Sequence, residues 1–141
     1  GEKWLARLAA CWRNRGHQPL ILCQPGTEME TLVRTSGLDY RSVVMRHDVS
    51  VPGVLGIARV LREFQPHLVL CCNERAFRLT APATRLAGSP PLVYRNGLTA
   101  TFKNRSLNRW LFRWAARMVV ISEPLREEMA SCGWIPPNRL Q

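Results

Sequence analysis

The sequence contains no apolar run near the roughly 18 to 20 residues needed to cross a bilayer, which argues against a membrane-spanning chain. Its start, Gly1-Glu2-Lys3-Trp4, lacks the basic-then-apolar pattern of a secretory signal. The five cysteines (Cys11, Cys23, Cys71, Cys72, Cys132) include no CxxC pair and are odd in number, so a disulfide scaffold is a poor fit and a reducing cytosol the natural setting. Three scattered histidines (His17, His47, His67) match no zinc spacing. The only aspartates, Asp39 and Asp48, stand too far apart for a paired metal-binding motif. GxGxxG and GxxxxGK[ST] are missing, which removes the standard dinucleotide and P-loop signatures. GxSxG is missing too, and with it the nucleophile elbow of an α/β-hydrolase.

What is present is a foldable chain with a marked charge excess. Its 141 residues are 46% hydrophobic and 21% charged, enough to bury the core of one domain. Lysine and arginine number 20 against 10 acids, a net charge of +10, and only Lys3 and Lys103 are lysines. Nine of the cations (Arg75, Arg78, Arg85, Arg95, Lys103, Arg105, Arg109, Arg113, Arg117) fall between Arg75 and Ser122, a stretch without any acid. Such a stretch suits an anionic partner: phosphate groups, nucleic acid or an acidic membrane surface. A solvated basic face in an arginine-rich protein would look the same.

Two periods alternate along the chain. Residues from Trp4 recur at helical spacing up to Gly16, a helix stop. The apolar run Leu20–Cys23 predicts a strand, Thr27–Ser36 a helix ending at Gly37, and Ser42–Met45 another strand. Val54–Phe64 reads as a helix with Leu55, Ala58, Leu61 and Phe64 inward, followed by the strand Leu68–Cys72. The pattern continues with helix Ala76–Ala87, strand Pro91–Tyr94, helix Leu107–Ala116, strand Met118–Ile121 and helix Pro124–Ser131. Strands apolar on both faces between helices predict an α/β fold with a doubly wound, Rossmann-like parallel sheet. The chain begins within a helix rather than a strand, and Trp134–Gln141 reads as a loop entering a strand, so the expectation is a fragment of a longer protein.

Ligands of open parallel sheets bind beyond the carboxyl ends of the strands. Those ends carry Gln24-Pro25-Gly26, Arg46-His47-Asp48, Asn73-Glu74-Arg75, Arg95-Asn96-Gly97 and Ser122-Glu123. Strand ends are commonly polar, but five in series point to a binding rim. Between Phe102 and Arg117, the fourfold spacing of Arg105, Arg109, Arg113 and Arg117 predicts a basic stripe on one helix, beside Trp110 and Trp114. An interfacial helix on an anionic membrane uses this combination. Tryptophans packed on the sheet with arginines in water would also account for it.

An ordered series of segments runs from Gly1-Glu2 and an Ala/Leu-rich helix to Arg15-Gly16-His17 and Leu20–Cys23, then Cys23-Gln24-Pro25-Gly26 and Phe64-Gln65-Pro66-His67-Leu68-Val69. Ala87-Gly88-Ser89-Pro90 before Val93-Tyr94-Arg95, and Val119-Val120-Ile121-Ser122-Glu123, complete it. The series resembles family 4 glycosyltransferases of the GT-B fold. The resemblance implies one half of a GT-B fold: a single Rossmann-like, acceptor-side N-terminal domain over residues 1–141, lacking its first strand and its C-terminal partner domain. It further implies a retaining transferase that needs neither metal nor cofactor. A nucleotide-sugar would serve as donor and a saccharide or lipid-linked molecule as acceptor, in the cytoplasm or at the inner membrane face.

Carried over residue by residue, the resemblance puts Gly1 in the donor-diphosphate loop. Arg95 falls at the strand end near the sugar, for charge stabilisation or acceptor binding against a structural salt bridge. Glu74, Asn96, Gly97 and Thr99 become acceptor-side residues, while His17 is a turn residue and Ser122 the cap of the last helix. The basic run Lys103, Arg105, Arg109 and Arg113 would meet an anionic membrane or acceptor. The competing reading is a non-catalytic Rossmann-like module holding nucleic acid or a protein on its basic face. It ranks lower because aromatics interleaved with basic loops, which single-strand binders use, are missing.

Overall fold

The computed structural model describes residues 2–97 and 106–141. The elements alternate, and they group into two compact units, residues 1–46 and 47–141.

The first unit runs α1 (Glu2–Asn14), β1 (Ile21–Cys23), α2 (Glu28–Thr35) and β2 (Tyr40–Ser42). β1 and β2 pair in parallel, Ile21 opposite Tyr40 and Cys23 opposite Ser42. Ala6 and Ala9 of α1 and Met29 and Val33 of α2 close a small core with Ile21, Cys23 and Leu38. The alanines let the helix backbone approach closely, so a short amphipathic helix suffices. The strand expected over Ser42–Met45 begins earlier, at Tyr40, although the Val43 N–H still donates to the Cys23 carbonyl at 2.9 Å. The apolar run misplaced this strand because pairing with β1 starts at the polar residues ahead of it.

Glu30, in the first turn of α2, joins the carboxyl ends of both strands. Its carboxylate accepts the Gly26 N–H at 2.8 Å and the Ser42 hydroxyl. Those bonds, the Ser42 bond foremost, hold its carboxyl below the usual carboxylate range. A carboxyl with a lowered folded pKa stabilises the fold above its unfolded pKa, and the contribution is lost as pH falls through the folded value. Glu30→Gln is therefore expected to lower the urea midpoint at neutral pH, with the difference from the parent chain shrinking as pH falls below the ordinary carboxylate range.

The second unit runs α3 (Val51–Phe64), β3 (Val69–Cys71), α4 (Glu74–Leu86), β4 (Leu92–Asn96), α5 (Ser106–Phe112), β5 (Ala115–Val120) and α6 (Glu123–Ser131), with a 3-10 turn at Pro137–Arg139. Its three strands are parallel in the order β3-β4-β5, with an irregularity between Leu92 and Val93. Leu140 then forms a parallel bridge with Met118; the Gln141 N–H donates to the Met118 carbonyl at 2.9 Å and the Val120 N–H to the Gln141 carbonyl at 2.7 Å. Phe77 is the centre of the core: it is fully buried, its ring 5.2 Å from Tyr94 and 6.4 Å from Phe112. Leu92, Met118, Met129 and Ile135 fill the space around it.

The parallel α/β class agrees with the sequence, while three local expectations change. On α3 the buried face is Gly53, Ile57, Ala58 and Leu61, whereas Leu55 and Phe64 are exposed. Ser122 stands at the N-cap of α6 in extended backbone but makes no side-chain cap bond. Pro124 in the first turn has no N–H, so one of the donors a cap serves is already missing. Thr27, Ser50 and Asn73 do cap α2, α3 and α4.

The third change concerns the arginines. The helix expected to reach Ala116 ends at Phe112, because Ala115 pairs with Leu92 and the sheet takes over the chain. Arg113 lies in the turn and Arg117 on β5, so the fourfold spacing does not make one helical stripe. Arg105 and Lys103 lie outside the described residues.

Candidate functional site

The carboxyl ends of β3, β4 and β5 carry the polar residues of the second unit. β3 leads through Cys72 to Asn73, whose Oδ1 accepts the Ala76 N–H at 2.8 Å and starts α4. Glu74 then sits in the first turn, where a carboxylate favours the helix dipole. Arg78 follows one turn later on the same helix face.

Arg78 is the best-buried charge described. Its side chain is 5% exposed, and its guanidinium fork is fully engaged: Nε donates to Asn108 Oδ1 at 2.9 Å, Nη2 to Glu74 Oε2 at 2.6 Å and Nη1 to Asp48 Oδ2. Arg75 Nε donates to the other oxygen of Asp48 at 3.1 Å. Asn108, on α5, is completely buried. Two carboxylates and two guanidiniums cancel, so the cluster adds no net field to the rim. It does pin the residues before α3, the start of α4 and the middle of α5 to one another. The planar fork holds donors to three partners along fixed, widely separated directions, a geometry that the compact ammonium of a lysine does not reproduce.

β4 sends its side chains alternately to two faces. Leu92, Tyr94 and Asn96 are buried, and Val93 and Arg95 are half-buried on the other face. Burial, and then the nearby Glu74 charge, raises the Tyr94 hydroxyl pKa. The Arg95 guanidinium folds back over Gly97, so closely that a Cβ at Gly97 would displace it. Its charge also reaches Cys72. Burial pushes the Cys72 thiol up, and Arg95 opposes that rise. Cys71, fully buried behind it, is pushed up to about 12 by desolvation, so it is a packing residue.

Of the residues expected at a site, the fold thus puts Glu74, Arg95, Asn96 and Gly97 at the carboxyl edge of one sheet. Glu74 is committed to Arg78, and Asn96 is 3% exposed. Arg109 is exposed on α5, away from the buried Asn108 beside it. Gly1 and Thr99 lie outside the described residues. Sequence reasoning passed over Arg78 and Asn108 as partners. The Glu74–Arg78 spacing was available as a helical pair, whereas Asp48 and Asn108 join it from 30 positions away on either side. Among the described residues, no three His, Cys, Asp or Glu side chains converge to hold a metal ion.

The family model for Glycosyltransferase Family 4 matches residues 1–141. The chain belongs to glycosyltransferase family 4. Solved structures agree on the fold. Anabaena HepE in complex with UDP and glucose superposes with a TM-score of 0.78 at 19% identity, over 99% of this chain and 39% of that one. Anabaena HepE in complex with UDP-glucose gives 0.76 at 17% identity, over 99% of this chain and 38% of that one. Acinetobacter baumannii MurG gives 0.66 at 15% identity, over 96% of this chain and 39% of that one. Among curated proteins, no sequence match is found. This family 4 chain therefore spans about two fifths of the structures it resembles, and its fold is the Rossmann-like half of a GT-B glycosyltransferase. Among its described residues no helix is long and apolar enough to cross a membrane.

Proposed function

We propose that the chain is the acceptor-side, N-terminal domain of a retaining, metal-independent glycosyltransferase. It moves a hexosyl group from a nucleotide-sugar to a saccharide or lipid-linked acceptor in the cytoplasm. The family match across all 141 residues carries this reading. The HepE structures hold UDP and UDP-glucose, which supports a nucleotide-sugar as donor. All five thiols are free, as a reducing compartment favours.

In this reading the donor lies in a cleft completed by a C-terminal domain, and the 141 residues alone do not turn over. Glycosyl transfer leaves a nucleoside diphosphate whose negative charge grows as the bond to the sugar breaks. A cation already fixed at that position stabilises the transition state more than the ground state. Arg95 suits this role because it stands at the end of β4, packed over Gly97. Glu74, held by Arg78, and the turn begun by Asn96 and Gly97 shape the acceptor side.

A panel of nucleotide-sugars, assayed with a form of the protein carrying both halves of the fold, tests the reading. Transfer or hydrolysis of one donor that survives a chelator, with the anomeric configuration kept, is the expected result. Turnover abolished by chelation would overturn metal independence. No turnover of any donor, with salt-dependent nucleic-acid binding instead, would favour the non-catalytic module.

A further inference from the structure

The outer face of α5 and the turn after it is both apolar and cationic. Leu107 and Trp110, one helical turn apart, are 39% and 46% exposed. The inward residues Asn108, Leu111 and Phe112 are buried, so the two faces of the helix are distinct. Trp114 packs edge-on against Trp110 with ring centroids 4.5 Å apart, which fixes the exposed indole. The Arg113 guanidinium carbon lies 5.9 Å from the Trp110 ring centre, so a cation rides on the edge of the aromatic surface. Arg139 donates to the carbonyls of Arg113 and Ala115 at 3.4 and 3.3 Å, bringing another positive charge to the same turn. Arg109 and Arg117 are exposed nearby in the chain. Among the described residues no carboxylate pairs with Arg109, Arg113 or Arg117.

We infer that this face, centred on Trp110 and Arg113, docks the protein on the anionic headgroups of a bilayer. Rigid indole and leucine side chains suit the headgroup boundary, where an apolar body is buried while its polar edge stays wet. Arginines around them meet lipid phosphates with the opposite charge. A nucleic-acid duplex would use the cations but would leave Leu107 and Trp110 without a partner. Docking is independent of the proposed glycosyl transfer, because it requires neither donor nor acceptor. It would bring a domain that acts on a lipid-linked molecule to its substrate.

Co-sedimentation with vesicles tests it without any turnover. The 141-residue chain is expected to bind vesicles of phosphatidylcholine with 30% phosphatidylglycerol, a fraction of about one third chosen for a strong surface potential, and to bind pure phosphatidylcholine weakly. Arg109→Glu with Arg113→Glu should weaken binding by about tenfold or more. Trp110→Ser should weaken it by about fivefold while leaving the salt dependence in place. Both variants alter exposed side chains, and their circular dichroism and urea midpoints should match the parent chain. Equal binding to both vesicle types, unchanged binding by the folded variants, or preference for a DNA duplex over anionic vesicles would each overturn the inference. Vesicle binding without transferase activity in the longer protein would leave docking intact and count against the proposed function alone.

Discussion

Arg78→Ala is expected to destabilise the second unit by about 3 kcal/mol, near the lower end of what removing one partner from a buried ionic cluster costs. The lower end follows from what remains. Asp48 and Glu74 keep some access to water, with side chains 42% and 24% exposed, and Asp48 keeps Arg75. The completely buried Asn108 loses the donor held at 2.9 Å, and the two carboxylates lose the cation between them. At the usual urea dependence the midpoint should fall by about 1 to 2 M. Arg78→Lys should recover only part of this, because an ammonium cannot reproduce the three-way fork. Arg59→Ala supplies the contrast. Its pair with Glu63 also has helical spacing, but the side chains are 82% and 60% exposed, so a change below about 0.5 kcal/mol is expected. Equal midpoint shifts for Arg78→Ala and Arg59→Ala would mean that burial of the Arg78 cluster contributes nothing.

The same comparison explains what the sequence could and could not disclose. Apolar runs such as Leu68–Cys72 and Met118–Ile121 lie on or beside the observed strands, because a covered parallel strand must be apolar on both faces. The glycines predicted to stop helices adopt left-handed backbone after α1 and α2, at Gly16 with φ 85° and Gly37 with φ 63°. Helix phase was less legible. On α3, Leu55 and Ile57 are both apolar, and only packing decides that Ile57 turns inward. The end of α5 was misread because Trp114, Ala115 and Ala116 continue an apolar helical pattern, yet Ala115 already pairs with Leu92. Local pattern cannot register a competing strand that lies more than 20 positions back. The Arg78 cluster escaped for the same reason, since two of its partners come from distant segments. The positions of Glu74, Arg95 and Asn96 at the carboxyl ends of β3 and β4 were legible, because the strands of one parallel sheet end on one edge.

If the proposed transfer holds, Arg95→Ala is expected to lower kcat by about 100-fold in a form carrying both halves of the fold, the scale seen when one group stabilising developing negative charge is removed. Arg95→Lys should fall between, since the charge is retained while the planar donor fork is lost. Loss of turnover alone would not separate chemistry from a disturbed fold, and Cys72 supplies a second readout. Its thiol is pushed up by burial and held back by the Arg95 charge. Removing Arg95 must therefore raise it further, reduce the thiolate present at a given pH and slow alkylation at Cys72. Peptide-resolved mass spectrometry distinguishes this from Cys11, which is exposed, and from Cys71, which is buried and should stay unreactive. Slower Cys72 alkylation together with the loss in kcat assigns Arg95 a charge-stabilising role at the rim. Slower alkylation with unchanged kcat would make Arg95 a cation of the edge that the reaction does not use. Unchanged alkylation would mean that its charge does not reach the end of β3, and the case for Arg95 as the group meeting the departing diphosphate would fail with it.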